Sequence, residues 1–397
     1  MKASRLIVVC LSIAALIIVM IGCEYDVQKP QWDKDFVNPA TPVITRLEPD
    51  RVASPGFNTI KILGENFAET QDDNKVYFNN ISAEIIAASK NSIEVRRPNL
   101  VSDSCLVKVV SYDALVVAKY SPYKIEPVMA RYGELFENLQ LSAIAVDKAE
   151  NLYIILFNRT IFKYTPAREK TVIGEVADRL ATDAKFSPDG KFLLLKNYRR
   201  IYAMDLATGT ETEWMDVRKA VSSGDFDSNG IFYVGGRRSD LIVINRTDST
   251  ATAIGVYARD EILYIRAYGD YVYLLVDLAS PDEANPDIAI WRHQILDEKG
   301  NLGTRELVLN WAETGEYAPS TPKNFTFSAD GIMYIGTDYV HPIMMVYPDG
   351  RQNILYKGIL PSYAEKLVWG SKNYLYMMLG GDEWNVIQID MGAPGAP

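Results

Sequence analysis

Histidine and cysteine are nearly missing from this chain of 397 residues: there are two histidines and three cysteines. His293 and His341 stand 48 positions apart with no ligand spacing between them, which argues against a zinc centre built on imidazole. Cys10 and Cys23 both lie close to the amino terminus, so only Cys105 belongs to the body of the protein and no internal disulfide framework is available. Basic charge is also in deficit, with 41 Lys and Arg against 51 Asp and Glu, and the net charge of -10 makes nucleic acid an unlikely partner. Nucleophile elbows, phosphate loops, dinucleotide fingerprints and Cys-x-x-Cys pairs are absent. Beyond the first 22 residues no apolar run approaches the length needed to span a bilayer.

What is present begins with a targeting segment. Lys2 and Arg5 precede an apolar run from Leu6 to Ile21, too short for a spanning helix, and the run ends at Gly22-Cys23. A small residue before a cysteine resembles the bacterial lipobox, although Met20 replaces the commoner Leu. The resemblance implies cleavage before Cys23 and acylation of that residue, which would supply two or more anchoring chains. Removal of residues 1–22 takes away two bases and no acid, so the mature charge becomes -12. The expected location is the cell envelope, extracytoplasmic and lipid-anchored, with the outer membrane favoured. Residues 23–40 are polar, carry two prolines, Pro30 and Pro39, and lack periodicity, as a flexible spacer would.

From about residue 41 to 127, short strands alternate with dense turn signals, the pattern of an immunoglobulin-like sandwich. Cys105 falls on one face of a strand with Val107 and Val109, the position of a small core residue. Pro42, Ile44 and Pro49 in the first strand, Gly64, Asn66 and Phe67 after the second, and Ile93, Val95 and Pro98 further on occupy positions that resemble the IPT/TIG family. Phe67 is expected to swing inward where the chain turns at Gly64. The resemblance implies a fold, with a role as a spacer or a contacting module.

From about residue 128 to 397 one pattern recurs, a polar turn followed by an apolar, Tyr-rich strand. The copies are Asp147 to Tyr153, Ser187 to Phe192, Asp227 to Tyr233, Tyr268 to Tyr273, Ser328 to Tyr334 and Gly370 to Tyr376. With Asn151, Gly190, Gly230, Asp270, Gly331 and Asn373 as markers, the intervals are 39, 40, 40, 61 and 42. A strand-based period near 40 predicts six propeller blades. The fold class is therefore all-β, a sandwich followed by a six-bladed propeller. The last blade stops after its third strand, and Val128 to Leu135 is expected to supply the fourth. Individual turns resemble NHL and TolB-like blades, and their Asp and Gly residues suit tight turns better than calcium loops.

In a propeller the loops after every second strand share one face. Here they carry Arg159, Tyr198, Arg199, Arg237, Arg238, Asp338, Tyr339, His341 and Trp384, and the overlong fourth repeat adds Trp311 and Tyr317. These eleven residues are the candidate ligand surface, with the four tyrosines and tryptophans at 311, 317, 339 and 384 as apolar platforms. The reading that follows is a non-enzymatic binding or adhesion module for a glycan or protein, with no cofactor, anchored in the membrane through Cys23. The alternatives are a propeller lactonase, lyase or hydrolase with a carboxylate-bound cation at the channel mouth, and a structural component of an envelope complex. Carboxylates or amides converging on the propeller axis would favour the enzyme.

Overall fold

The protein is described from a computed structural model over residues 40–112, 114–132 and 139–396. Cys23 and all but the last residue of the expected spacer lie outside the described residues. Two units follow each other along the chain. The first has two sheets, one built from Val43–Glu48, Thr59–Glu65, Ser92–Arg96 and Ile85–Ser89, the other from Val52–Ala53, Ala118–Ile125, Ser102–Ser111, Asn74–Phe78 and Ile81–Ala83. Alternation puts Ile60, Ile62, Val76, Phe78, Ile93, Val95, Val107 and Val109 between them, all fully buried. Phe67 closes one end of this core. A Cβ at Gly64 would lie 2.4 Å from its ring and 2.0 Å from the Val43 carbonyl, so only glycine fits the turn. Cys105 is fully buried, and burial pushes its thiol up to about 11, which leaves it inert as a nucleophile.

The second unit is a ring of six four-stranded sheets. Their inner strands are Leu141–Val146, Asp183–Phe186, Ser223–Phe226, Glu261–Tyr268, Pro322–Phe327 and Ala364–Trp369. The second strands Leu152–Leu156, Phe192–Leu195, Phe232–Gly235 and Met333–Thr337 are buried at every position, because each blade is covered on both faces by its neighbours. Ring closure falls to Met129–Arg131, which pairs antiparallel with Val386–Asp390 as the fourth strand of the last blade. This lies within the expected segment; Gly133 to Leu135 are outside the described residues.

Hydrogen bonds account for the repeated turn. In the first and third blades an aspartate accepts from two backbone amides within the turn and from a tyrosine six residues on. Asp147 takes the Ala149 and Asn151 amides and the Tyr153 hydroxyl; Asp227 takes the Asn229 and Ile231 amides and the Tyr233 hydroxyl. Ser187 and Ser328 accept the Lys191 and Ile332 amides in the same way. The left-handed residue of the turn is Gly190, Gly230 or Gly331, but in the first blade it is Glu150, with φ +63°, and not Asn151. Glu150 has a reason to be there. It is buried, and its carboxylate accepts from Ser371 Oγ (2.8 Å), the Lys372 amide (2.7 Å) and Tyr376 Oη (3.1 Å), clamping the first blade to the last.

The sandwich is docked on blades five and six. The Gly56 amide donates to Tyr356 Oη at 2.7 Å, the Tyr356 amide donates to Asn58 Oδ1 at 3.0 Å, Asn99 Nδ2 donates to the Gly358 carbonyl at 3.1 Å, and Lys357 pairs with Glu84 at 3.2 Å. The backbones meet closely: a Cβ on Gly392 would stand 2.6 Å from the Pro55 carbonyl. A freely swinging spacer would not make these contacts, so the sandwich is better described as a buttress against the propeller.

Glu150→Ala removes one acceptor from three donors, the part-buried Ser371 hydroxyl and Lys372 amide and the buried Tyr376 hydroxyl. Stability should fall by about 2–3 kcal/mol in urea unfolding followed by tyrosine fluorescence. A loss within a few tenths of a kcal/mol would show that the clamp between first and last blades is not needed.

Candidate functional site

The loops expected to carry ligand residues do share one face, but the structure gathers only part of the set. Trp311, Tyr317, Asp338, Tyr339 and His341 converge between blades four and five, close to the sandwich residues Arg96 and Glu84. Ring centroids are 6.5 Å apart for Trp311 and Tyr317, 5.1 Å for Tyr317 and Tyr339, and 5.8 Å for Tyr339 and His341. Trp311 and Tyr317 are not platforms, however. Only 3% and 2% of them is exposed, because the long connection folds into two short 3-10 turns, Trp311–Glu313 and Gly315–Tyr317, that pack them inward. Trp311 Nε1 donates to the Ser320 carbonyl at 2.8 Å, and Tyr317 Oη to the His341 carbonyl at 2.9 Å, so their polar ends are used within the loops. They support the tip formed by Tyr339, Val340 and His341. Val340 is 58% exposed, and Tyr339 Oη donates to Glu316 at 3.3 Å. His341 is half-buried; burial first, then Lys357 and Arg96, push its pKa down and keep the ring neutral at pH 7. Asp338 is held in place by the Thr321 amide at 2.8 Å.

The other candidates stay apart. Arg199 is paired with Asp216 through two hydrogen bonds, Arg237 stands 3.7 Å from Glu261 of the next blade, and Tyr198 is covered by the Arg179 guanidinium at 4.6 Å. Arg159 and Arg238 sit on separate loops with φ of +78° and +52°. Trp384 is half-buried against the core that contains Tyr132 and Tyr376. The charges of Arg199 and Arg237 are thus partly offset by acids that arrive from neighbouring strands and blades.

Sequence reasoning did not single out the polar residues of the central channel. Counted back from the first residue of each turn, the inner strands of blades one, two, three, five and six carry Ala143, Asp183, Ser223, Asn324 and Lys366 four positions earlier. Two positions earlier they carry Ala145, Lys185, Asp225, Thr326 and Val368. Had the repeats been read as columns, these two positions would have stood out, since polar side chains interrupt otherwise apolar inner strands. In space each column becomes a layer around the axis. In the first, Lys366 Nζ reaches from blade six to blade two, donating to Asp183 Oδ1 and the Thr182 carbonyl, both at 2.8 Å. Asn324 is fully buried, donating to the Glu365 carbonyl and accepting from the Leu367 amide. In the second layer, Asp225 accepts from Arg266 Nη1 at 2.5 Å and from the Ala267 amide at 3.0 Å, while Lys185 Nζ approaches it at 3.7 Å and lies 3.4 Å from Tyr264 Oη. Below this layer a cavity of about 480 Å³ opens on the face that carries the repeated turns.

Among the described residues two carboxylates and one amide therefore converge on the axis, and lysine or arginine already occupies both acids. Among the described residues no three His, Cys, Asp or Glu side chains gather as a metal-binding group. Burial by itself would raise the Asp225 carboxyl, but Arg266 and then Lys185 outweigh it and hold the group below its usual 3.8. A carboxyl lowered on folding adds stability above its unfolded pKa, and that stability is lost as the pH falls through the folded value. The Tm should accordingly hold from neutral pH to about 5 and drop below about 4. Asp225→Asn, which strands Arg266 without its acid, should cost about 3–5 kcal/mol at pH 7 and flatten part of the acid limb, as read by thermal melts across the pH range.

Comparison with known proteins agrees with this architecture. Residues 42–124 match the model of the IPT/TIG domain. An auxiliary nutrient binding protein from Bacteroides thetaiotaomicron is similar in structure, with 13% identity, 89% of this chain and 99% of that chain covered, and a TM-score of 0.54. Its counterpart from Bacteroides ovatus gives 14%, 89%, 99% and 0.51. A gluconolactonase from Xanthomonas campestris aligns with 66% of this chain and 89% of its own at 11% identity, TM-score 0.51. No curated protein matches. At such identities the likeness is one of fold, and what the comparisons show is an IPT/TIG domain, residues 42–124, in a chain that continues as a six-bladed β-propeller.

Proposed function

We propose that the mature chain is an extracytoplasmic binding module, lipid-anchored at Cys23, that takes a glycan or protein ligand on the propeller face beside the sandwich. One observation carries the reading: the tip formed by Tyr339, Val340 and His341 is raised on a buried Trp311–Tyr317 base and set next to Arg96, Glu84 and Lys357. A rigid aromatic base under a partly exposed Tyr and His resembles the arrangement by which scaffolds hold recognition loops. The sandwich, docked through Gly56, Asn58 and Asn99, forms one wall of this face. Support also comes from the auxiliary nutrient binding proteins of Bacteroides, whose likeness runs through both units. Trp384, Arg159, Tyr198, Arg199, Arg237 and Arg238 surround the same face on other blades and extend the candidate surface for a large ligand. The outer membrane is the favoured location. A lactonase has the propeller likeness in its favour, yet its cation would compete with Lys366 for Asp183 and with Arg266 for Asp225.

Affinity electrophoresis of the purified protein through gels containing a panel of polysaccharides should show retardation by at least one of them, and Tyr339→Ala with His341→Ala should remove it. Retardation that survives the double substitution would place the ligand elsewhere. The anchor is tested separately. In detergent phase partitioning the expressed full-length protein should enter the detergent phase, and Cys23→Ser should move it to the aqueous phase; a wild type found in the aqueous phase would rule out the lipid tether.

A further inference from the structure

Among the described residues the charges on the channel axis do not cancel. Asp183 is matched by Lys366 at 2.8 Å and Asp225 by Arg266 at 2.5 Å, two close ion pairs with hydrogen-bond geometry. Lys185 is the fifth group. Its ammonium carries three donors, of which the structure places one near Tyr264 Oη at a long 3.4 Å, and it reaches Asp225 only at 3.7 Å. Its side chain is 16% exposed. Burial alone would lower its pKa, but Tyr264, Asp225 and Asp183 outweigh burial and hold the ammonium in its charged form. The exposure that remains faces the cavity of about 480 Å³, lined by Asp147, Lys148, Lys185, Tyr264, Arg266 and Thr326 among others. Asp147 and Lys148 offset each other at the rim of this cavity, and Asp225, which also lines it, is offset by Arg266, so the described charged residues of the lining leave one positive charge over.

The chain itself shows what the mouth accepts. Its last described residues run along the end of the fifth inner strand: the Ala329 amide donates to Pro394, the Ala396 amide donates to Phe327, and the Ala396 carbonyl accepts from Arg266 Nη2 at 3.1 Å. Gly395 lies on the Trp369 ring so closely that a Cβ would come within 2.2 Å of it. An acceptor oxygen on the guanidinium, beside a flat apolar surface, is therefore already compatible with this opening, and Lys185 offers a second donor group a short distance deeper.

We infer that the channel mouth on the turn-bearing face is a second ligand site, distinct from the aromatic tip, and that it takes a small organic monoanion whose carboxylate is held by Lys185. The size suits a molecule no larger than a sugar acid, with hydroxyl partners in Tyr264 and Thr326. One unmatched positive charge favours a single carboxylate over a doubly charged phosphate. The site is independent of the proposed face, which lies at the opposite ends of the inner strands.

Isothermal titration of the mature protein with D-galacturonate, D-galactose and inorganic phosphate tests this. Galacturonate should bind, with affinity that falls as salt is raised, while galactose and phosphate should bind at least tenfold more weakly. Lys185→Met removes the surplus charge and leaves both ion pairs, so its Tm should equal or exceed the wild type while galacturonate affinity falls at least tenfold. The inference is overturned if galacturonate does not bind, if phosphate or galactose binds as well, or if Lys185→Met binds galacturonate unchanged. A Tm well below the wild type in Lys185→Met would overturn it too, since the lysine would then be a structural partner of Asp225. The wild-type titration decides the question even if that variant fails to fold.

Discussion

Everything in the second unit depends on closing a ring of sheets. Each blade buries both faces of its second strand, so a blade without two neighbours would expose a band of Leu, Ile, Val, Phe and Tyr to water. The ring therefore cannot be partly formed at small cost. Three residues that precede the first blade, Met129–Arg131, complete the last one, and Glu150 reaches across the same seam to three donors of blade six. Both devices join segments more than 200 residues apart in sequence, which makes the closure a long-range and cooperative event.

The same geometry sets the electrostatics. Six inner strands bring their polar positions to one axis, where water is scarce and each charge interacts strongly with the next. Asp183 and Asp225 acquire cationic partners from blades six and four, and the pairing leaves Lys185 over. At the opposite ends of these strands the long connection after blade four folds inward, and its tryptophan and tyrosine become the foundation of a tip instead of its surface. Docking of the sandwich then adds Arg96 and Glu84 to that neighbourhood, so the two units share one candidate face.

Much of the fold was legible in the sequence because it is written in local chemistry. An aspartate or serine that accepts its own turn amides, a left-handed glycine two or three residues on, and an apolar strand after it are short-range features, and they recur at a period that only a blade explains. Gly64 and Phe67 were readable for the same reason, as was the missing last strand. Two markers stand one residue past the left-handed position: Gly269, not Asp270, takes it in the fourth repeat, and Glu150, not Asn151, in the first, where a contact with blade six that no local rule contains holds it.

What the sequence alone determined is thus the number of blades, their strand order, the sandwich and the set of loops that share a face. Tertiary structure decided which of those loop residues remain available, because burial of Trp311 and Tyr317 and neutralisation of Arg199 and Arg237 depend on partners supplied by other strands and other loops. It also decided that Lys185, Asp225, Arg266, Lys366 and Asp183 meet at all. Each is ordinary in its own strand, and their chemistry arises from being brought, across intervals of about 40 to 180 residues, into one narrow and poorly solvated channel.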